Sequence, residues 1–225
     1  MVNIKNLSKS YANKKVLNNL NLRLNNGEVS GMVGENGAGK TTLFRCIAGM
    51  ENYEGQIDSD VKNLKEQVGF LPTNPIFLSR ITGWEYLKLL CVARKIKTEN
   101  FEEQNIFDLP LSQYAETYST GMKKKLALMG ILLQKNEIYI LDEPFNGVDI
   151  HSNMIISEII KKLKARQKTI LISSHIFSTL SDCCDNIHLL KDGEISKVVT
   201  KEGFNTLDQE MQSFVVGDKI DRLDI

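Results

Sequence analysis

Gly34-Glu35-Asn36-Gly37-Ala38-Gly39-Lys40-Thr41 fits G-x-x-x-x-G-K-[ST], and its reading decides the fold. It follows the apolar run Val29 to Val33 and opens a segment of helical pattern that closes at Gly49. Strand, glycine-rich loop and helix in that order make a phosphate cradle. Glycines let backbone N–H groups converge on phosphate oxygens without side-chain clash, and the helix N-terminus adds partial positive charge. In this pattern Asn36, Gly37, Ala38, Gly39, Lys40, Thr41 and Thr42 bind the nucleotide. Lys40 reaches the β and γ phosphates, and the Thr41 hydroxyl ligates Mg²⁺. The plainer alternative is a glycine turn capping a structural helix.

Outward from the loop, Val29 to Val33, Ile138 to Leu141 and Thr169 to Ser173 are short, apolar and bounded by glycine or charge. Such runs are expected of parallel strands buried on both faces. Val2, Ile4 and Leu7, then Leu20, Leu22 and Leu24, alternate as antiparallel strands with one wet face. From about 75 to 135 helical patterns dominate. Trp84, Leu87, Leu90 and Cys91 share one face, and Leu126 to Leu133 is apolar almost all round. A strand pair near Ile187 to Leu190 and Glu194 to Val199, turned by Lys191-Asp192-Gly193, precedes a polar tail of about 201 to 225. The expected fold is α/β, a P-loop NTPase core with a mixed sheet, an N-terminal antiparallel β subdomain and a helical insertion. It forms a single domain over 1–225.

Composition narrows the function classes. With 28 Lys+Arg against 28 Asp+Glu there is no global positive field to condense onto nucleic acid, so no nucleic-acid partner is expected. The run Lys123-Lys124-Lys125 reads as a solvated helix face. No apolar stretch approaches the ~20 residues that cross a bilayer, and the first residues lack a signal-peptide pattern, which predicts a cytoplasmic protein. The four cysteines show no metal-ligand spacing and are expected to be reduced thiols.

Ile138-Tyr139-Ile140-Leu141-Asp142-Glu143 is an apolar strand ending in two acids, delivered to the C-terminal edge of the sheet beside the phosphate loop. Successive strand residues point to opposite sides. Asp142 then holds Mg²⁺, and Glu143 faces the γ-phosphate as general base for an attacking water.

Together with these motifs, Tyr118-Ser119-Thr120-Gly121-Met122 resembles the signature of the ATP-binding cassette (ABC) ATPases, the motor subunits of ABC transporters. The resemblance runs over about residues 2 to 200. It implies ATP and Mg²⁺ as ligands. It also implies a homodimer or a paired ABC subunit in which Ser119 and Gly121 approach the γ-phosphate held by a second protomer. Ser119 can cap the following helix, whatever else it does. Asn146-Gly147-Val148-Asp149 resembles the D-loop, so Asp149 is expected to contact the partner near its phosphate loop; a plain turn is the alternative. Ser173-Ser174-His175 resembles the switch, with His175 on the γ-phosphate. Tyr11 resembles the aromatic residue that stacks on adenine, and Val16 adds an apolar contact to the base.

The chain departs from the family in two places. Gly69-Phe70-Leu71-Pro72-Thr73 carries Thr73, followed by Asn74, where the family has the glutamine that ligates Mg²⁺ or positions water. Thr73 is taken as the metal-site replacement and Asn74 as the other possible substitute. The signature has Thr120 for glycine and Met122 for glutamine. Because Lys40, Asp142, Glu143 and His175 all remain, the chain is read as an active ATP hydrolase. Its expected function is the motor of an ABC transporter, driving a separate transmembrane permease subunit, in the export direction on the analogy of small exporters. It would associate peripherally with the cytoplasmic face of the membrane. The alternatives are a soluble ABC ATPase in protein or cofactor assembly, or a nucleotide-gated module with little turnover. Phe77 and Trp84 are the apolar candidates for the permease-docking surface.

Overall fold

The computed structural model describes residues 1–97, 100–174 and 177–207. Expectations at His175 and over most of the tail, 208–225, fall outside the described residues.

Two sheets organise the chain. The first has the order β2-β1-β4 and is antiparallel, built from β1 (Val2–Tyr11), β2 (Lys14–Leu24) and β4 (Glu54–Ser59). Val2 pairs with Leu24 and Ile4 with Leu22, so the alternating apolar residues share one buried face. The second sheet has the order β5-β6-β7-β3-β8-β9. In it β5 (Val68–Leu71), β6 (Ile138–Asp142), β7 (Thr169–Ser173), β3 (Val29–Val33) and β8 (Asn186–Lys191) run parallel. The strand β9 (Glu194–Thr200) closes the edge antiparallel to β8 through Asp192 and Gly193, both at positive φ, as a tight hairpin turn needs. All five residues of β3, β6 and β7 are buried, and their side chains divide between two apolar clusters, one on each face.

One cluster is closed by α1 (Lys40–Ile47) and the first sheet, while α2 (Leu64–Gln67) is a single turn before β5. The other is closed by α3 (Gly83–Ala93), α4 (Thr120–Leu133), α5 (Ile150–Ala165) and α6 (Phe177–Cys183). Thr82 and Glu85 form a reciprocal capping box at the start of α3. In α4 Leu126 to Ile131 are buried without a break, so this helix is a core element on every side. Between α3 and α4 the described chain is irregular apart from one 3-10 turn, Ala115–Thr117, so only the ends of the 75–135 stretch are helical.

One expectation is corrected. Lys124 is 1% exposed and carries hydrogen bonds inside the protein, so the lysine run is not a solvated face. Helical periodicity turns position 124 inward, and buried carbonyl acceptors await its ammonium there. Phe77 and Trp84 are half-buried against the core, Phe77 edge-on to Tyr86 at 4.7 Å and Trp84 edge-on to Phe101 at 5.7 Å. The exposed apolar side chains from 73 to 90 are Ile76, Leu78 and Leu89.

Candidate functional site

The loop between β3 and α1 takes its shape from two left-handed glycines, Gly37 at φ 87° and Gly39 at φ 111°. A Cβ at Gly39 would come 2.8 Å from Leu17 Cδ2 and 3.0 Å from the Val16 carbonyl oxygen, so both backbone conformation and space demand glycine. Gly39 also caps α1. The first turn of α1 carries neither a side-chain cap nor an acidic residue, which leaves its partial positive charge unopposed. Lys40 donates to the carbonyl oxygens of Gly34 at 2.6 Å and Glu35 at 3.0 Å, which holds its ammonium over the loop. Burial lowers its pKa, and the neighbouring Glu143 and Asp142 carboxylates oppose that shift.

A cleft of about 400 Å³ opens above this loop. From the first sheet it is lined by Tyr11 and Val16, and from the loop by Asn36, Gly37, Gly39, Lys40, Thr41 and Thr42. Thr73, Asp142 and Glu143 complete it from the strand ends of the second sheet. Ala38 of the loop is not among its walls, and neither is Asn74, so Thr73 is the residue that follows β5 into the cleft. Tyr11 stands at the rim, 42% exposed, with Lys9 Nζ 4.8 Å from its ring centroid.

The floor of the cleft is a hydrogen-bond chain that joins helix α1 to strands β6 and β7. Thr41 Oγ1 donates to Asp142 Oδ2 at 2.7 Å, and Ser173 Oγ donates to Asp142 Oδ1 at 2.7 Å. The Glu143 N–H in turn donates to Ser173 Oγ at 3.0 Å. Glu143 has φ 53°, so strand alternation ends at Asp142 and both carboxylates line one cleft rather than opposite faces. A hydroxyl and a carboxylate already in contact form a hard-oxygen donor set that fits Mg²⁺, which is ordinarily completed by water and phosphate.

Ser119, Gly121 and Asp149 are not among the residues that line this cleft. Ser119 caps α4 by accepting from the Met122 N–H at 3.2 Å. Asp149 caps α5 by accepting from the Ser152 N–H at 2.9 Å, and pairs with Lys125 at 3.1 Å. These contacts, led by the backbone bond from Ser152, hold its carboxyl far below the usual carboxylate range. Within one chain, then, Asp149 is a helix cap.

Sequence reasoning missed three residues. Lys14, cross-strand partner of Tyr11, adds a cation to the cleft wall, and its place on a two-residue hairpin beside Tyr11 was the available signal. Ser173, by sequence only part of a switch motif, is the hydroxyl that bonds the Asp142 carboxylate and the Glu143 N–H. The third, Lys124, holds the main-chain carbonyl oxygens of Glu143 and Asn146.

The profile of the ABC transporter family matches residues 17–146. The uncharacterized ABC transporter ATP-binding protein YdbJ of Bacillus subtilis (strain 168) is 31% identical over 216 residues, covering 90% of this chain and 70% of that protein. The lantibiotic transport ATP-binding protein SrtF of Streptococcus pyogenes is 28% identical over 233 residues, covering 97% of this chain and 99% of that one. A solved structure of the ATP binding subunit of an ABC transporter superposes with a TM-score of 0.83 at 27% identity, covering 98% of this chain and 96% of that chain.

Proposed function

This chain belongs to the ABC transporter family as an ATP-binding, ATP-hydrolysing subunit, and on that premise we propose that two copies close head to tail on ATP and drive a separate membrane permease in the outward direction. The observation that carries the reading is the chain from Thr41 through Asp142 and Ser173 to the Glu143 N–H, which holds both acids beside the phosphate loop.

The adenine would lie against Tyr11 and Val16, and the phosphates against the amides of Asn36 to Thr42. Lys40 would exchange its contacts with the Gly34 and Glu35 carbonyls for β and γ phosphate oxygens. Thr41, Asp142 and Thr73 would hold Mg²⁺, which supplies neutralisation of phosphate charge. Glu143 would take a proton from the attacking water, and His175 would contact the γ-phosphate. Ser119 and Gly121 would complete the site of the second copy, with Asp149 near that copy's phosphate loop. That none of these three lines the cleft of its own chain supports their acting on a second chain's nucleotide.

No described helix is long and apolar enough to cross a membrane, and in the proposed arrangement the permease supplies the pore. Ile76 and Leu78, 93% and 65% exposed just beyond Thr73, support that segment as the permease contact and a place at the cytoplasmic membrane face. The test is steady-state phosphate release with and without magnesium, for wild type and Glu143→Gln. Magnesium-dependent release lost in Glu143→Gln supports the reading, and release that survives the substitution defeats it. Direction is decided by ATP-dependent accumulation in inside-out vesicles, where uptake means export.

A further inference from the structure

The face of α4 formed by residues 121, 124 and 125 lies against the loop that carries the catalytic acid of the same chain. At its first turn a Cβ on Gly121 would stand 2.6 Å from the Gly147 carbonyl oxygen, so helix and loop touch there without side chains between them. One turn on, the buried Lys124 ammonium donates to the carbonyl oxygens of Glu143 at 2.6 Å and Asn146 at 2.8 Å. Beside it Lys125 bonds Asp149 Oδ2 and Ser152 Oγ, each at 3.1 Å. Spacing of i, i+3 and i+4 puts all three on one helical face.

The position of the Lys124 contacts matters more than their number. Glu143 holds an uncommon left-handed backbone, which persists only where the surroundings over-determine it. Its N–H is held by Ser173 and its carbonyl by Lys124, while the Asn146 N–H closes the turn onto the same carbonyl at 3.2 Å. A buried ammonium is costly, and here it satisfies main-chain acceptors at both ends of the Glu143–Asn146 turn rather than a carboxylate.

We propose that Lys124 is a positioning residue for ATP hydrolysis: it pins the turn that aims Glu143 at the cleft, and through α4 it makes engagement of Ser119 and Gly121 by a second chain's nucleotide set the catalytic acid of their own chain. The proposal rests on the hydrolytic reading above and adds to it a link between the two composite sites. Such a link needs a rigid connection, and helix, lysine and turn supply one of a few side chains.

Lys124→Met keeps the length and apolar stem of the side chain and removes its donors. In phosphate-release kinetics kcat should fall by about ten- to a hundredfold, the scale of a misplaced catalytic group, with KM and the ATP Kd held within about twofold. Lys124→Gln, a shorter donor, should recover part of kcat. In a Glu143→Gln background Lys124→Met should change the residual rate by less than about twofold, because a residue that acts through Glu143 has nothing left to position. An unchanged kcat, a loss confined to KM, or a full multiplicative loss in the Glu143→Gln background overturns the proposal. If Lys124→Met lacks a cooperative melt, the kcat and KM of Lys124→Gln decide. Failure of both to fold makes the lysine structural and overturns it as well. A wild type without phosphate release defeats the hydrolytic reading itself, an outcome distinct from active wild type with indifferent variants.

Discussion

Thr41 Oγ1 and Asp142 Oδ2, 101 positions apart in the chain, are joined by a hydrogen bond of 2.7 Å. The bond ties the first turn of α1 to the end of β6 and brings together the two oxygens proposed to share one cation. Asp142→Asn preserves size and an acceptor oxygen but removes the charge. It should abolish most of the strengthening that magnesium gives to ATP binding, leaving magnesium-free affinity within a few-fold of wild type. Titrations with and without magnesium measure it, and an undiminished magnesium effect removes Asp142 from the metal site.

Lys40→Ala should reduce ATP hydrolysis below detection. The ammonium is placed to offset charge on the transferring phosphoryl group, and one such preorganised contact is worth about 10²- to 10³-fold in kcat. Loss of ground-state binding adds to this. Wild-type turnover in Lys40→Ala would discard the phosphate-loop assignment.

Tyr11→Ala should weaken ATP binding by roughly 1 to 3 kcal/mol, the worth of one base stack. Lys9 already lies against the ring, and Lys14 stands across the strand pair, so the neighbouring cations should remain for the phosphates. Equal loss of affinity for ATP and for triphosphate alone would show that Tyr11 supports the sheet edge instead of the base.

His188, buried on β8, finds no hydrogen-bond partner for either ring nitrogen among the described residues, and burial pushes its pKa down to about 4. The folded value lies below the unfolded one. Between them the unfolded chain binds the extra proton, so this contribution to stability is complete above pH 6.5 and is lost as pH falls toward 4. Fully expressed, a shift of this size is on the order of 3 kcal/mol. His188→Leu should flatten the fall of the urea midpoint through that window. Parallel curves for variant and wild type would show that other groups set the acid response.

Much of this architecture is legible locally. The three apolar runs coincide with β3, β6 and β7 because full burial on both faces leaves an unbroken apolar string, and Lys191-Asp192-Gly193 announces its own turn. Strand β4 escapes because Glu54–Ser59 is an edge strand without buried alternation, and β5 because it is four residues long and contains Gly69. At the site, the residues bearing the chemistry are visible by type and spacing. The groups that hold them are not. Lys124 earns burial only from carbonyls 19 and 22 residues away, and Ser173 acts on acids 30 and 31 residues back. No local pattern carries the sign of such long-range partners, and a left-handed Glu143 violates the strand rule used to read its side chain.

Ser119, Gly121 and Asp149 lie apart from the cleft of their own chain, and Ser119 caps α4 with its hydroxyl while the helix N-terminus stays available to an anion. If they complete a second chain's site, the γ-phosphate is the ligand that joins Lys40 of one copy to Ser119 and Gly121 of the other. Glu143→Gln retains shape and hydrogen bonding but removes the base, so ATP should bind, close the pair and remain uncleaved. Light scattering after size exclusion should then report a persistent dimer with ATP and a monomer with ADP, which offers the closed state no differential contact. Wild type should dimerise only transiently. Adding Ser119→Arg should restore the monomer in ATP, because the side chain enters the space the phosphate needs while the backbone cap of α4 can pass to water at a cost of about 1 kcal/mol. A dimer that persists in ADP, or that tolerates Ser119→Arg, would mean an interface elsewhere on the chain. A monomer under every condition would send the experiment to the permease-bound protein, where pre-aligned chains either trap ATP in Glu143→Gln or refute the two-chain site.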